Sequence, residues 1–230
     1  MKEFTERHHA FIAASFYQQL TLRFGERGEQ AFVLATQRYA EQRGSRMAQR
    51  AIRDGKPLNF AVYREYGEWE PTRTAVEEGS QNVSEAVSYA PDYEVKIYQC
   101  PWAIQFKEMG VIRGGTVYCT HLDKAIVRGF NPYLTFETKQ SLHECPYCIQ
   151  VMEGANFQEG QVFPKNPANV RGFDYHCGHC YKTFREISVS IFGQEGEEAS
   201  ARVLSLFGEN YGREMADRIL DFRNVDFNVM

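Results

Sequence analysis

Residues 134–152 read LTFETKQSLHECPYCIQVM and decide the fold. Leu134, Phe136 and Thr138 alternate with more polar neighbours, which is the period-2 pattern of a strand over residues 134–142. Residues 149–152 are the expected hairpin partner of that strand. Because two consecutive strands joined by a short connection pair antiparallel, this stretch predicts an antiparallel sheet.

The segments on either side complete the predicted domain. Residues 93–100 and 187–192 alternate in the same way and predict two more strands. Apolar residues spaced by three and four predict two helices within residues 1–55 and further helices over 102–109, 117–128 and 194–222. Residues 153–171 are rich in Gly, Pro and Asn and predict a polar insertion. The expected fold is therefore one α+β domain over residues 1–230, with a central, mostly antiparallel sheet flanked by the N-terminal helices and a long C-terminal helix.

Composition narrows the class of protein. The chain has 230 residues, of which 43% are hydrophobic, and a formal net charge of −4. These values are typical of a globular protein, and the charge is too small to imply a nucleic-acid partner. No run approaches the ~20 apolar residues of a membrane span, and the charged N-terminus does not resemble a signal peptide. We expect a cytoplasmic protein with a small-molecule partner, and homo-oligomer formation is left open.

Four of the six cysteines form two C-x-x-C pairs, Cys145/Cys148 and Cys177/Cys180. Four thiolates at such spacing can complete a tetrahedral zinc site, so residues 145–180 are expected to be a Cys-rich, zinc-binding insertion. A thiol–disulfide redox pair, an iron–sulfur cluster and unliganded thiols are the alternatives. No organic cofactor is expected.

The other two cysteines, Cys100 and Cys119, belong to a different pattern. Cys119 is expected in the first turn of the helix over residues 117–128, where a helix N-terminus favours a thiolate. Asp123 follows at i+4 on the same helical face, and His121 is close in sequence. A cysteine with a carboxylate and an imidazole nearby is a candidate nucleophile with acid–base assistance. The alternative is a buried structural thiol beside a surface charge.

The second predicted helix carries a row of arginines at positions 38, 43, 46, 50 and 53. Such a row can bind an anionic ligand, but a solvated face with local Glu partners is the favoured interpretation.

Residues 95–150 resemble the L-2-amino-thiazoline-4-carboxylic acid hydrolase family. The resemblance lies in Cys100-Pro101-Trp102, Tyr118-Cys119 with Leu122-Asp123, Asn131-Pro132, Lys139 and Cys148. His143-Glu144 departs from the Gly-Asp-like pair usual in the family, and the pair Cys177/Cys180 is not a family feature.

The resemblance implies hydrolysis of a small cyclic isothiourea or amidine-type substrate, with 2-aminothiazoline-4-carboxylate opened towards N-carbamoyl-L-cysteine. Its electrophilic carbon lies between nitrogen and sulfur, so Cys119 or Cys100 would be the nucleophile, with Asp123 and His121 handling protons. Asn131, Lys139, Trp102 and Tyr118 are the expected substrate-binding residues. A non-catalytic, metal-containing small-ligand sensor is the alternative function.

Overall fold

The computed structural model describes residues 3–230 and contains a four-stranded sheet. The strands are β1 (Val83–Ser88), β2 (Tyr93–Gln99), β3 (Phe136–Gln140) and β4 (Cys148–Met152), in the order β1-β2-β4-β3. All neighbouring strands are antiparallel. The predicted hairpin is confirmed, because β3 pairs with β4 and places Phe136 opposite Met152.

Nine α-helices within the described residues surround this sheet, which confirms an α+β domain with N-terminal helices and a helical C-terminal part. Residues 153–171 contain only a short 3-10 turn, Pro167–Asn169. The helices are α1 (Glu6–Phe24), α2 (Glu26–Arg53), α3 (Phe60–Glu65), α4 (Arg73–Glu77), α5 (Pro101–Glu108), α6 (Ile112–Phe130), α7 (Phe173–Phe192), α8 (Gln194–Tyr211) and α9 (Arg213–Leu220).

Helices α2 and α6 pack against each other backbone to backbone. A Cβ on Gly44 of α2 would overlap the carbonyl oxygen of Ile126, and one on Gly129 of α6 would overlap the backbone of Glu41. Only glycine fits at two such crossing points, since any side chain would force the helices apart. This contact fixes α2 beside the face of α6 that carries Cys119.

Three predicted elements differ from the structure. Residues 187–192 are the end of α7 and not a strand, because Phe184 and Ser188 are buried at i and i+4 and Ser188 Oγ donates to the Phe184 carbonyl at 2.7 Å. The predicted long C-terminal helix is confirmed but is divided into α8 and α9 at Gly212, whose φ of 99° is open to glycine alone. Helix α6 begins at Ile112 rather than at residue 117.

The arginine row is not a solvated face. Arg43, Arg46 and Arg50 are buried and surround Glu68, whose side chain is also buried. Arg46 donates to both carboxylate oxygens of Glu68, at 3.0 and 2.7 Å, and Arg50 donates to Oε1 at 2.8 Å. The favoured interpretation was therefore wrong for the middle of the row, because its partner comes from a loop outside the helix.

No helix among residues 3–230 has the length and apolar composition required to cross a membrane.

Candidate active site

A cavity of about 180 Å³ lies between α2, α6 and the sheet. Three of the four residues expected to be catalytic, Cys100, Cys119 and Asp123, contribute to its wall. Cys100 is the residue immediately before α5, while Cys119 and Asp123 lie on one face of α6. The remaining wall is formed by Arg43, Trp69, Asn82, Ile97, Trp102, Tyr118, Leu122, Thr138, Cys148 and Gln150.

Cys119 is paired with a histidine that the sequence did not suggest. Its Sγ lies 3.3 Å from Nε2 of His143, which belongs to the turn between β3 and β4. The close approach depends on Gly115, one turn before Cys119 on α6, because a side chain there would overlap the imidazole. Gly114 and Gly115 are thus sites of close packing inside α6.

Burial controls the protonation of this pair. It holds the pKa of the Cys119 thiol well above its ordinary value, with the nearby Cys100 and Asp123 adding to the shift. It also lowers the pKa of His143 to about 4. The resting pair at neutral pH is therefore a thiol beside a neutral imidazole. The predicted stabilisation of the thiolate by a helix N-terminus does not apply, because Cys119 lies two turns into α6.

Cys100 has no histidine partner in the described structure. Burial raises the pKa of this thiol to about 12, an effect that the backbone N–H groups of Ala103 and Trp102 oppose. Of the two candidate nucleophiles, only Cys119 has a base within hydrogen-bonding distance.

Asp123 is a buried carboxylate at the cavity wall. Gln150 Nε2 donates to its Oδ2 at 2.9 Å. Burial raises the pKa of Asp123, while the Arg43 charge and the Gln150 hydrogen bond oppose that shift. A carboxyl group with a raised pKa can exchange a proton with a bound substrate more readily than an exposed one.

Four polar groups at the cavity wall have no protein partner within residues 3–230. Buried polar atoms are normally hydrogen-bonded, so unpaired ones at a cavity indicate where a ligand binds. They are Asn82 Oδ1, Thr138 Oγ1, Tyr118 OH and Arg43 Nε. The cavity therefore offers acceptors, hydroxyls and one cation to a small polar molecule.

Arg43 is the cation at this wall, and a neighbouring ion-pair cluster fixes its surroundings. Its Nε lies 3.9 Å from Glu68 Oε2, beyond hydrogen-bonding distance, whereas Arg46 and Arg50 bond that carboxylate directly. Burial alone would raise the pKa of Glu68, but the charge of Arg46 and its hydrogen bonds lower the pKa by more, to about 2. Three arginines share one carboxylate, so Arg43 keeps charge available for an anion in the cavity.

The expected substrate-binding residues divide into two groups. Trp102 and Tyr118 line the cavity, and Trp102 Nε1 donates to His9 Nδ1 at 3.0 Å. Asn131 lies elsewhere, where Nδ2 donates to the Leu58 carbonyl at 2.7 Å and Oδ1 accepts from the Tyr133 amide at 3.0 Å. Lys139 lies on β3 with about half of its side chain exposed, 3.7 Å from Glu94.

His121 does not line the cavity. Its Nδ1 lies 3.3 Å from Gln37 Nε2 on α2, and its pKa is lowered by burial and by the charges of Lys124 and Arg128. The imidazole next to Cys119 is that of His143, 24 residues along the chain from the cysteine.

The two C-x-x-C pairs lie in different environments. Cys148 begins β4, and its Sγ accepts the Leu142 N–H at 3.0 Å. Cys177 and Cys180 are fully buried on α7, where burial raises the pKa of both thiols. No group of three or more Cys, His, Asp or Glu side chains in residues 3–230 is arranged to hold a metal ion. The arrangement does not fit a single four-thiolate site, and zinc stays a prediction.

Sequence reasoning missed three residues of the site. His143 stood out only as a departure from the family pattern, and Arg43 only as one member of a row. Gln150 carried no signal beyond its position on a strand, because its contact with Asp123 is created by the packing of β4 on α6.

A family model described as L-2-amino-thiazoline-4-carboxylic acid hydrolase matches residues 5–149. The matched segment runs from α1 to the start of β4 and contains Arg43, Cys100, Cys119, Asp123 and His143. No curated protein and no solved structure matches the chain.

Proposed function

The chain belongs to the L-2-amino-thiazoline-4-carboxylic acid hydrolase family, and from this premise we propose that it is a cysteine hydrolase that opens a small cyclic isothiourea or amidine-type substrate. The observation that carries the proposal is the 3.3 Å separation of Cys119 Sγ and His143 Nε2 beside the cavity that Cys100 and Asp123 also line. A thiol in contact with a base is the arrangement that nucleophilic catalysis requires.

In the first step, Cys119 Sγ adds to the ring carbon between nitrogen and sulfur while His143 Nε2 takes the thiol proton. The bond from that carbon to the ring sulfur then breaks, and the departing sulfur receives a proton and becomes a free thiol. The product is a linear isothiourea joined to Cys119. Paired proton transfer allows a thiol with a high pKa to react without a standing thiolate.

In the second step, water adds to the same carbon with His143 as the base. The bond to Cys119 breaks, the cysteine recovers its proton, and a carbamoyl (urea) product leaves. His143 also borders an open groove of about 610 Å³ on the far side of Cys100, which gives water a route to the imidazole.

The cavity wall supplies the substrate contacts. Arg43 can pair with a substrate carboxylate, since its Nε has no hydrogen bond within residues 3–230. Asp123 can accept hydrogen bonds from the amino group of the substrate and exchange its proton. The unpaired oxygens of Asn82 and Thr138 can bind the remaining N–H groups.

The test is turnover of 2-aminothiazoline-4-carboxylate, followed by the thiol that ring opening releases. We expect Cys119→Ala and His143→Asn each to reduce kcat/KM by at least about 100-fold with the fold intact. Cys100→Ala should lose much less activity. Thr120→Ala is the matched control, since Thr120 is exposed on the same helix beside Cys119 and does not line the cavity, and it should retain activity. Full activity in Cys119→Ala would overturn the proposal, and binding without turnover in the unmodified protein would favour the sensor function.

A further inference from the structure

A second chamber of about 190 Å³ adjoins the cavity that contains Cys119. The two spaces share Arg43, Trp69 and Asp123 in their walls. The second chamber adds Arg64 from α3 and Lys165 from the loop before α7. A ligand bound at Arg43 can therefore be reached from the chamber as well as from the catalytic side.

The chamber is strongly basic. It has three cations, Arg43, Arg64 and Lys165, against the single carboxylate of Asp123. Within the described residues, neither Arg64 nor Lys165 has an acidic group within 4.0 Å, in contrast to most arginines of the chain. The negative charge that acts on Lys165 is that of Glu70, which lies more than 4.0 Å away. Two partly buried cations without a carboxylate partner leave room for an external anion.

Both cations are held in place. The Arg64 guanidinium lies 4.8 Å from the centre of the Phe163 ring and 5.2 Å from that of Tyr93. Lys165 Nζ donates to the Trp69 carbonyl at 2.5 Å. Burial lowers the pKa of Lys165, and the charges of Arg43 and Arg64 lower it further. An anion between them would remove this repulsion, and the aromatic contacts already fix the geometry for it.

The wall of this chamber comes partly from residues outside the family match. Phe163 and Lys165 belong to the segment 153–171, whereas the matched segment ends at residue 149. Of the three cations, Lys165 thus lies outside the matched segment, whereas Arg43 and Arg64 lie within it.

We propose that the substrate of this protein carries a second anionic group, a carboxylate or a phosphate, which Arg64 and Lys165 bind while Arg43 binds the group next to the reacting ring. The inference rests on the proposed function, and it extends the substrate class from a single carboxylate to a substrate with a longer acidic arm. Both anions offer the same chemistry, oxygens that accept charge-assisted hydrogen bonds.

The probes are three amides of 2-aminothiazoline-4-carboxylic acid, formed with glycine, aspartate and phosphoserine. Because the amide bond uses the ring carboxylate, the α-carboxylate of the amino acid is the anion offered to Arg43 in all three amides. The aspartate and phosphoserine amides carry a second anion, a side-chain carboxylate and a phosphate respectively, and the glycine amide carries none. Binding is measured by calorimetry on the Cys119→Ser variant, so that no turnover interferes. We expect the aspartate or the phosphoserine amide to bind at least about tenfold more tightly than the glycine amide. The amide with the larger gain in affinity, aspartate or phosphoserine, identifies the second anion as a carboxylate or a phosphate.

The variants separate this site from general charge effects. Lys165→Gln and Arg64→Gln should each abolish the gain in affinity, whereas Lys56→Gln, which removes an exposed lysine that does not line the chamber, should keep it. Equal binding of the three amides, or a gain that survives both variants, would overturn the inference. Either result leaves the proposed function standing if the unmodified protein hydrolyses 2-aminothiazoline-4-carboxylate. If none of the three amides binds, the inference fails, and turnover of 2-aminothiazoline-4-carboxylate by the unmodified protein decides the proposed function separately.

Discussion

A Cβ atom on Gly115 would lie 2.7 Å from Nε2 of His143, so the absence of a side chain at Gly115 is what lets this imidazole reach Cys119. We expect Gly115→Ala to displace His143 and to reduce kcat/KM by about 100-fold or more, since small displacements of a catalytic group have effects of this size. Steady-state kinetics with circular dichroism measures the effect.

Gly208→Ala is the matched control for that substitution. Gly208 is also inside a helix, and its added Cβ would meet only the Ala216 methyl at an ordinary distance of 3.5 Å. It should leave activity unchanged and raise stability by about 0.5–1 kcal/mol. Undiminished turnover in Gly115→Ala would show that the contact with His143 is not needed for catalysis.

Stability should fall as the pH is lowered from about 7 to 5. Burial disfavours the charged form of four histidines and lowers their pKa, namely the buried His9, His176 and His179 and the half-buried His143. Below pH about 6.5 the unfolded chain binds protons at these positions and the folded chain does not, which favours unfolding. Each histidine can lower the free energy of unfolding by up to about 1.4 kcal/mol for each pH unit below that point. Urea unfolding at several pH values measures the slope, and a flat profile between pH 7 and 5 would contradict the expectation.

Glu68→Gln should destabilise the protein by about 3–5 kcal/mol, because it removes the carboxylate that buried Arg46 and Arg50 share. Glu94→Gln breaks the more exposed pair with Lys139 and should change stability by less than about 1 kcal/mol. Denaturant titration of both variants gives the comparison. A similar loss of stability in Glu68→Gln and Glu94→Gln would mean that the ion pairs of Glu68 are not required for the fold.

Metal content tests the zinc prediction directly. Since Cys177 and Cys180 are buried thiols on α7 and no described group of ligands surrounds them, we expect Cys177→Ser to leave the metal content of the purified protein unchanged. Elemental analysis of the unmodified protein and of the Cys177→Ser variant measures the zinc content of each. One zinc per chain that disappears in Cys177→Ser would establish the four-thiolate site instead.

Local patterns predicted the sheet well and the site only in part. The hairpin of β3 and β4 follows from alternation within twenty residues, and Cys119 and Asp123 share a face because they are one helical turn apart. Residues 187–192 alternate as a strand would. They nevertheless form the last turns of α7, because the packing of that helix against its neighbours decides their conformation. The contacts of Glu68 with Arg46 and of His143 with Cys119 join residues 22 and 24 positions apart through packing, and no spacing rule contains them.

The crossing of α2 and α6 at Gly44 and Gly129 has a mechanical consequence. With the two backbones in direct contact, these helices cannot slide past one another, so Arg43 and Cys119 form a fixed template for the substrate. Exchange of substrate and product must then use the other boundaries of the cavity, the sheet and the segment that carries Trp69 and Asn82. The rate at which these boundaries open would set an upper limit on the rate of the proposed turnover.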